Sequence, residues 1–178
     1  MRVAVIGLGS MGMGAATSLL KAGHEVTGCD VTPAARDALV AAGGQAVARA
    51  SELPRDTEAV VVLVVNAAQV DAVLFGQDGS AAILPKGAVV LVSTTMAPEA
   101  ARTVCGRLES TGLLALDAPV SGGSVAADAG TMTVMASGAP AAFDRAAPVL
   151  DAIAGRVWRL GEAAGAGSTV KMVNQLLA

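Results

Sequence analysis

Short apolar runs alternate with stretches of helical spacing along the whole chain. Strands are predicted at Val3–Ile6, Val26–Asp30, Ala59–Val65, Ala88–Val92, Leu113–Leu116, Thr131–Met135 and Val157–Arg159, with a short one at Gln45–Ala48. Ala59–Val65 is apolar throughout and rich in β-branched residues, as a central strand covered on both faces must be. Between these runs, helices are predicted at Ala15–Leu20, Pro33–Ala42, Ala67–Phe75, Pro98 to about Ser110, and Pro140–Leu150. Gly43-Gly44 stops the second helix, Ser51 is expected to cap a brief helical turn, and Gly76 to Gly79 reads as a turn. Pro98 stands at a first helical position, where its missing N–H costs little. This alternation predicts an α/β, doubly wound Rossmann-type sheet, mostly parallel, whose ligand edge is formed by the loops after the strand C-termini.

The first strand and turn change the picture from fold to chemistry. Gly7-x-Gly9-x-x-Gly12 follows the Val3–Ile6 run directly and opens a helix, which is the context a dinucleotide fingerprint requires. Gly7 permits the tight turn, Gly9 lets the backbone approach a pyrophosphate, and Gly12 lets helix and strand pack closely. With Leu8, Ser10 and Met11 they form a turn whose free N–H groups and positive dipole end suit phosphates. Asp30 ends the second strand about 20 residues on, where a carboxylate meets the ribose hydroxyls. No Arg follows it immediately, so the cofactor is expected to be NAD rather than NADP. Asp30 can also cap the helix at Pro33.

Composition narrows the class. The chain has 178 residues, 53% of them hydrophobic, with 21 Gly but only one Trp and two Phe, so aliphatic residues must build the core. A net charge of −3 without basic clusters argues against nucleic acid as a partner. Cys29 and Cys105 read as buried thiols rather than a disulfide or metal site, and His24 as a surface or C-capping residue. No apolar run approaches the ~18–20 residues needed to cross a bilayer. The apolar N-terminus is interrupted by glycines and is explained by the fingerprint rather than by export. The expectation is a cytoplasmic protein with no membrane partner.

Three further segments fall on the ligand edge. They are Val64-Val65-Asn66 with Ser93-Thr94-Thr95, then Asp117-Ala-Pro-Val-Ser121-Gly122-Gly123, and finally Gly165-Ala-Gly-Ser-Thr-Val-Lys171-Met-Val-Asn174-Gln175. Ser121-Gly122-Gly123 offers a hydroxyl and unobstructed N–H groups, a cradle for a carboxylate. Lys171 and Asn174 share a helix face. In this order, with the N-terminal glycine turn, these segments resemble the β-hydroxyacid dehydrogenase family, over essentially the whole chain. That family includes 3-hydroxyisobutyrate dehydrogenases, tartronate semialdehyde reductases and the cofactor-binding part of 6-phosphogluconate dehydrogenases.

The resemblance implies a hydride transfer between NAD and a small hydroxy acid. It implies Lys171 as general acid/base, Asn174 holding the lysine or the substrate hydroxyl, and Ser121, Gly122 and Gly123 on the substrate. It also implies cofactor contacts from Val64, Val65, Asn66 and Thr95 beside the Gly7–Gly12 turn and Asp30. Two departures stand out: Gln175 replaces a second Asn after the lysine, and Val64-Val65-Asn66 replaces a Leu-Pro pair. Both resemble the L-threonate dehydrogenase branch, whose members oxidise the C2 hydroxyl of a four-carbon sugar acid. 3-Hydroxyisobutyrate and tartronate semialdehyde are the alternative substrates, and an NAD-binding fragment without turnover is the alternative class. Imine reductases of the same superfamily fit less well, because they usually lack Lys at this position.

Residues 1–162 are expected to be the dinucleotide-binding domain and 163–178 the start of an interdomain helix. Family members continue into a helical domain of roughly a hundred residues. The resemblance therefore implies a cofactor half whose missing part carries one active-site wall and the interface of a homo-oligomer. Alone, such a half is expected to bind NAD and turn over little.

Overall fold

A computed structural model describes residues 1–177. Six parallel strands form the main sheet: β1 (Arg2–Ile6), β2 (Glu25–Cys29), β3 (Gln45–Val47), β4 (Ala59–Val62), β5 (Val89–Val92) and β6 (Leu114–Asp117). Their spatial order is β3-β2-β1-β4-β5-β6, so the winding reverses between β1 and β4. An open α/β sheet leaves a crevice at such a switch point. β4 and β5 are wholly buried, with Val61, Val89 and Leu91 in the core on one face and Val60, Val62, Val90 and Val92 in that on the other. The two-residue period of a strand thus feeds both cores from one apolar run.

Helices α1 (Ser10–Lys21), α2 (Pro33–Ala41), α3 (Ala67–Phe75) and α4 (Pro98–Ser110) connect these strands. After β6 the chain builds a second sheet from β7 (Val120–Ser121), β8 (Met132–Ala136) and β9 (Ala154–Arg159). β7 is antiparallel to β8, and β8 parallel to β9. Helix α5 (Gly123–Asp128) lies between β7 and β8, α6 (Pro140–Ile153) before β9, and α7 (Ala166–Leu176) ends the described chain. Among the described residues no helix is long and apolar enough to cross a membrane.

The doubly wound, mostly parallel architecture agrees with the sequence reading, and several elements differ in detail. The last two expected strands belong to the second sheet rather than the first. β4 stops at Val62, because the N–H groups of Val64 and Val65 go to the Thr94 hydroxyl (3.1 Å) and the Gln69 side chain (2.9 Å) instead of a strand. α1 begins at Ser10, five residues before the expected start, since Gly12 and Gly14 are helical and buried. β7 and α5 carried no periodic signal, being two and six residues long. α6 runs on to Ile153 through Pro148, and β9 opens at Ala154. Ser51 does not cap its turn: it lies inside the 3₁₀ helix Ala50–Glu52, where Glu52 accepts the N–H of Arg49 (3.1 Å). His24 closes α1 through its backbone, donating its N–H to the Leu19 carbonyl (3.1 Å).

α1 carries the phosphate turn, and its far side packs against α5. A Cβ on Gly14 would lie 2.6 Å from that of Ala127, and the Ser18 hydroxyl donates to the Ala127 carbonyl (3.0 Å). Gly14→Ala is therefore expected to destabilise the fold by about 1–3 kcal/mol, as overpacking does. Thermal unfolding checks this, with a fall of roughly 3–10 °C expected for a domain of this size.

Candidate active site

The glycine turn behaves as its spacing requires. Gly7 has φ +91°, and a Cβ there would meet the Leu63 carbonyl oxygen at 2.5 Å. A Cβ on Gly12 would overlap the Gly7 carbonyl, so only glycine lets α1 come this close to β1. Gly9 is different: nothing lies within 4 Å of a Cβ there, so it faces open space. No side chain caps the first turn of α1 and no acid stands in it. An uncapped helix start over an open glycine suits an anion.

Asp30 is fastened from two sides. Its Oδ2 accepts the Leu8 N–H (2.7 Å) and its Oδ1 the Thr32 N–H (2.8 Å). Burial pushes its pKa upward, but the bonds from Thr32 and Leu8 outweigh this and hold the carboxylate below its ordinary range. Arg36 donates to the carbonyls of Asp30 (2.8 Å) and Val31 (3.0 Å), fixing the backbone around the carboxylate. Beside Asp30 opens a cavity of about 550 Å³. Gly7 and Gly9 border it, and Val31, Ala50, Val64 and Val73 give it apolar walls. Cys29 lies there too, with its thiol pushed up to about 11, first by burial and then by the Asp30 charge. Burial pushes the Cys105 thiol up to about 12, and both cysteines are buried free thiols, as expected.

A second cleft of about 350 Å³ adjoins the first along Leu63, Val64 and Val65. Met11, Thr95, Ser121, Gly122, Gly123 and Lys171 line it together, although they are far apart in sequence. Lys171 is only 8% exposed. Burial lowers its amine below the ordinary lysine value, and among the described residues no carboxylate pairs with it. Gly122 has φ +123° and Gly123 φ +68°, so the cradle needs glycine at both positions.

Of the expected site residues, Leu8, Ser10 and Gly12 of the glycine turn line neither cavity, the Leu8 N–H being spent on Asp30, and two others stand further apart. Asn66 spends its side chain on α3, accepting the Gln69 N–H (3.0 Å), and Gln69 rather than Asn66 lines the larger cavity. Asn174 is exposed on α7 and lies outside the cleft lining. Sequence reasoning gave no role to Arg36 or to Gln69, which ends the Val64–Gln69 segment. It also left Ser93 without a role: its hydroxyl is buried beside the cleft with no partner among the described residues. A dinucleotide fits this arrangement, with an uncapped helix start, the Asp30 carboxylate and an unsatisfied hydroxyl along two adjoining cavities.

The comparisons with known proteins agree. Residues 2–161 match the family model described as the NAD binding domain of 6-phosphogluconate dehydrogenase. The chain belongs to that family. This NAD-binding domain is 54% identical over 177 residues to an L-threonate dehydrogenase of Haemophilus influenzae, covering 99% of this chain and 59% of that protein. It is 37% identical to a 3-hydroxyisobutyrate dehydrogenase of Pseudomonas aeruginosa, over 98% of this chain and 58% of the other. A crystal structure named as 3-hydroxyisobutyrate dehydrogenase from Salmonella typhimurium superposes with a TM-score of 0.96 at 50% identity, covering 99% of this chain and 62% of that one. The chain thus spans about 59% of the length of the curated relatives it matches.

Gly9→Ala is expected to leave the melting temperature unchanged while weakening NAD, because its Cβ would enter the groove rather than the core. Losing one charge-assisted hydrogen bond of ~1.5–3 kcal/mol corresponds to roughly tenfold to a hundredfold in Kd. Calorimetric titration beside thermal unfolding measures both effects.

Proposed function

We propose that this chain is the cofactor- and lysine-bearing part of an NAD-dependent dehydrogenase that oxidises a hydroxyl of a small hydroxy acid, L-threonate at C2. The observation that carries this reading is the convergence of Lys171 with Ser121, Gly122 and Gly123 in a cleft continuous with the dinucleotide groove. Bound NAD supplies the hydride acceptor. The Ser121 hydroxyl and the N–H groups of Gly122 and Gly123 hold the substrate carboxylate. The neutral amine of Lys171 takes the proton of the hydroxyl being oxidised, and in the reverse direction returns it. Asn174, three residues on, is available to the amine or hydroxyl once the cleft is covered. Thr95 and Met11 flank the same cleft on the cofactor side.

L-Threonate is preferred to 3-hydroxyisobutyrate or tartronate semialdehyde, because relatives named for it share 50–54% of this chain against 37% for the named 3-hydroxyisobutyrate dehydrogenase. On this reading residues 1–162 are the dinucleotide-binding domain and the segment expected at 163–178, of which Ala178 lies outside the described residues, begins an interdomain helix. A second reading, an NAD-binding chain without turnover, is favoured by one observation: Val173, Leu176 and Leu177 stand exposed on and after α7. Such an apolar stripe invites self-association.

NAD is expected to bind more tightly than NADP, since the ionised Asp30 repels a second phosphate and Arg36 is engaged with two carbonyls. Binding constants for both cofactors test this. Asp30→Ala combined with Val31→Arg should narrow the gap, and tighter NADP binding by the unaltered chain would overturn the preference.

In an enzyme carrying this chain at full length, Lys171→Ala is expected to cut turnover by ~10²–10⁴-fold with NAD binding nearly intact. Oxidation should rise with pH, because the protonated amine cannot accept a proton, and its midpoint should fall below the ordinary lysine value of 10.5. Steady-state rates with L-threonate across pH measure both. A variant keeping more than a tenth of the wild-type rate removes Lys171 from the mechanism, and the same assay on this chain alone decides the second reading.

A further inference from the structure

Asp117 has no place in the chemistry above, yet it is the most completely engaged carboxylate in the molecule. It is wholly buried at the end of β6 and has no cationic partner among the described residues. Its Oδ2 accepts the N–H groups of Gly165 (2.9 Å) and Ser168 (2.9 Å) and the Ser137 hydroxyl (3.3 Å). Its Oδ1 accepts the Ser168 hydroxyl (2.6 Å). Ser137 extends the clamp by accepting the Gly167 N–H (3.0 Å). Three N–H groups at the start of α7 therefore end on two side chains from the strand ends. A buried charge is tolerated only when hydrogen bonds and dipoles answer it in full, and here the start of α7 does so.

The backbone of Asp117 ties together the parts that the clamp orients. It pairs with Val92 of β5, which leads into Ser93 and Thr95, and exchanges two hydrogen bonds with Ser137 (3.0 and 2.9 Å), the bridge between the two sheets. Ser121 follows four residues on. Gly167 completes the fit, since a Cβ there would lie 2.7 Å from the Asp117 carbonyl oxygen. Lys171 stands one turn beyond Ser168, roughly 4.5 Å along the helix axis.

We propose that Asp117, with Ser137 and Ser168, is the positioning residue of this site: its buried carboxylate clamps the first turn of α7 and thereby sets Lys171 against the Ser121–Gly123 turn. This rests on reading Lys171 as the working base, but its test needs no turnover. The chain holds only three lysines, Lys21, Lys86 and Lys171. Their ¹³C-methylated amines can therefore be followed separately by NMR, with Lys171→Ala assigning the signal.

Asp117→Asn turns N–H donors towards the donors of α7, and Ser168→Ala removes the 2.6 Å bond alone. Both variants are expected to bind NAD as the unaltered chain does, because the Gly7–Gly12 turn and Asp30 lie elsewhere. In both, Lys171 should titrate closer to the ordinary lysine value and the amides of residues 166–172 should exchange about tenfold faster or more. Folded, NAD-binding variants in which Lys171 titrates as before would overturn the proposal. Should Asp117→Asn not fold, an unchanged Lys171 titration in Ser168→Ala overturns it equally. If Lys171 shifts in these variants while Lys171→Ala in the longer enzyme keeps its rate, the catalytic reading falls and the positioning stands.

Discussion

Backbone must touch backbone for this molecule to work, and three glycines in helices permit it. Gly12 lets the start of α1 rest on the Gly7 carbonyl, Gly14 lets the same helix press against α5, and Gly167 lets α7 settle on the carbonyls of Met135 and Asp117. At each contact any larger residue would push the helix away from the backbone it rests on. The N-terminal ends of α1 and α7 consequently reach the carboxyl edge of the sheet, where the crevice of an open α/β fold lies. Gly7, Gly9, Asp30, Ser121–Gly123 and Lys171 line the two adjoining cavities in this zone, while Asn66 and Asn174 lie outside both.

The two helix starts then take opposite electrostatic roles. α1 is left uncapped beside an open glycine, so its dipole and N–H groups remain available to an external anion. α7 meets an internal anion instead, the buried carboxylate of Asp117, which consumes the same kind of N–H groups. One helix start is therefore left open and the other is closed by an internal carboxylate. Lys171 gains from the second arrangement: a helix fixed at its start can hold a partly desolvated amine in a defined place, and that desolvation is what lowers its pKa.

Much of this was legible in the sequence because it depends on local rules. The Gly7–Gly12 spacing, the β-branched run at Ala59–Val62 and the acid ending β2 each report a backbone requirement that few other residues could meet. α3 and α4 match their expected limits, Ala67–Phe75 and Pro98–Ser110, and a proline opens the second as expected. What stayed hidden depends on contacts between distant segments. The second sheet could not be read from Val120–Ser121, since two residues carry no period. Asn66 was grouped with the cofactor loop, whereas its side chain caps α3. Asp117 offered a signal that went unused: an acid ending an otherwise apolar strand needs buried donors, and those come from residues about 50 positions later.

The central claim is that one continuous groove carries the dinucleotide from Asp30 to Lys171, with the substrate carboxylate on the Ser121–Gly123 turn. A crystal structure of the chain with NAD and L-threonate bound tests it most directly. The expected result has the pyrophosphate on the N–H groups at the start of α1 and the ribose hydroxyls on Asp30. It also has the threonate carboxylate on Ser121, with its C2 hydroxyl within hydrogen-bond reach of the Lys171 Nζ, about 3 Å. A threonate held elsewhere, or a dinucleotide whose nicotinamide end lies away from Lys171, would contradict the account.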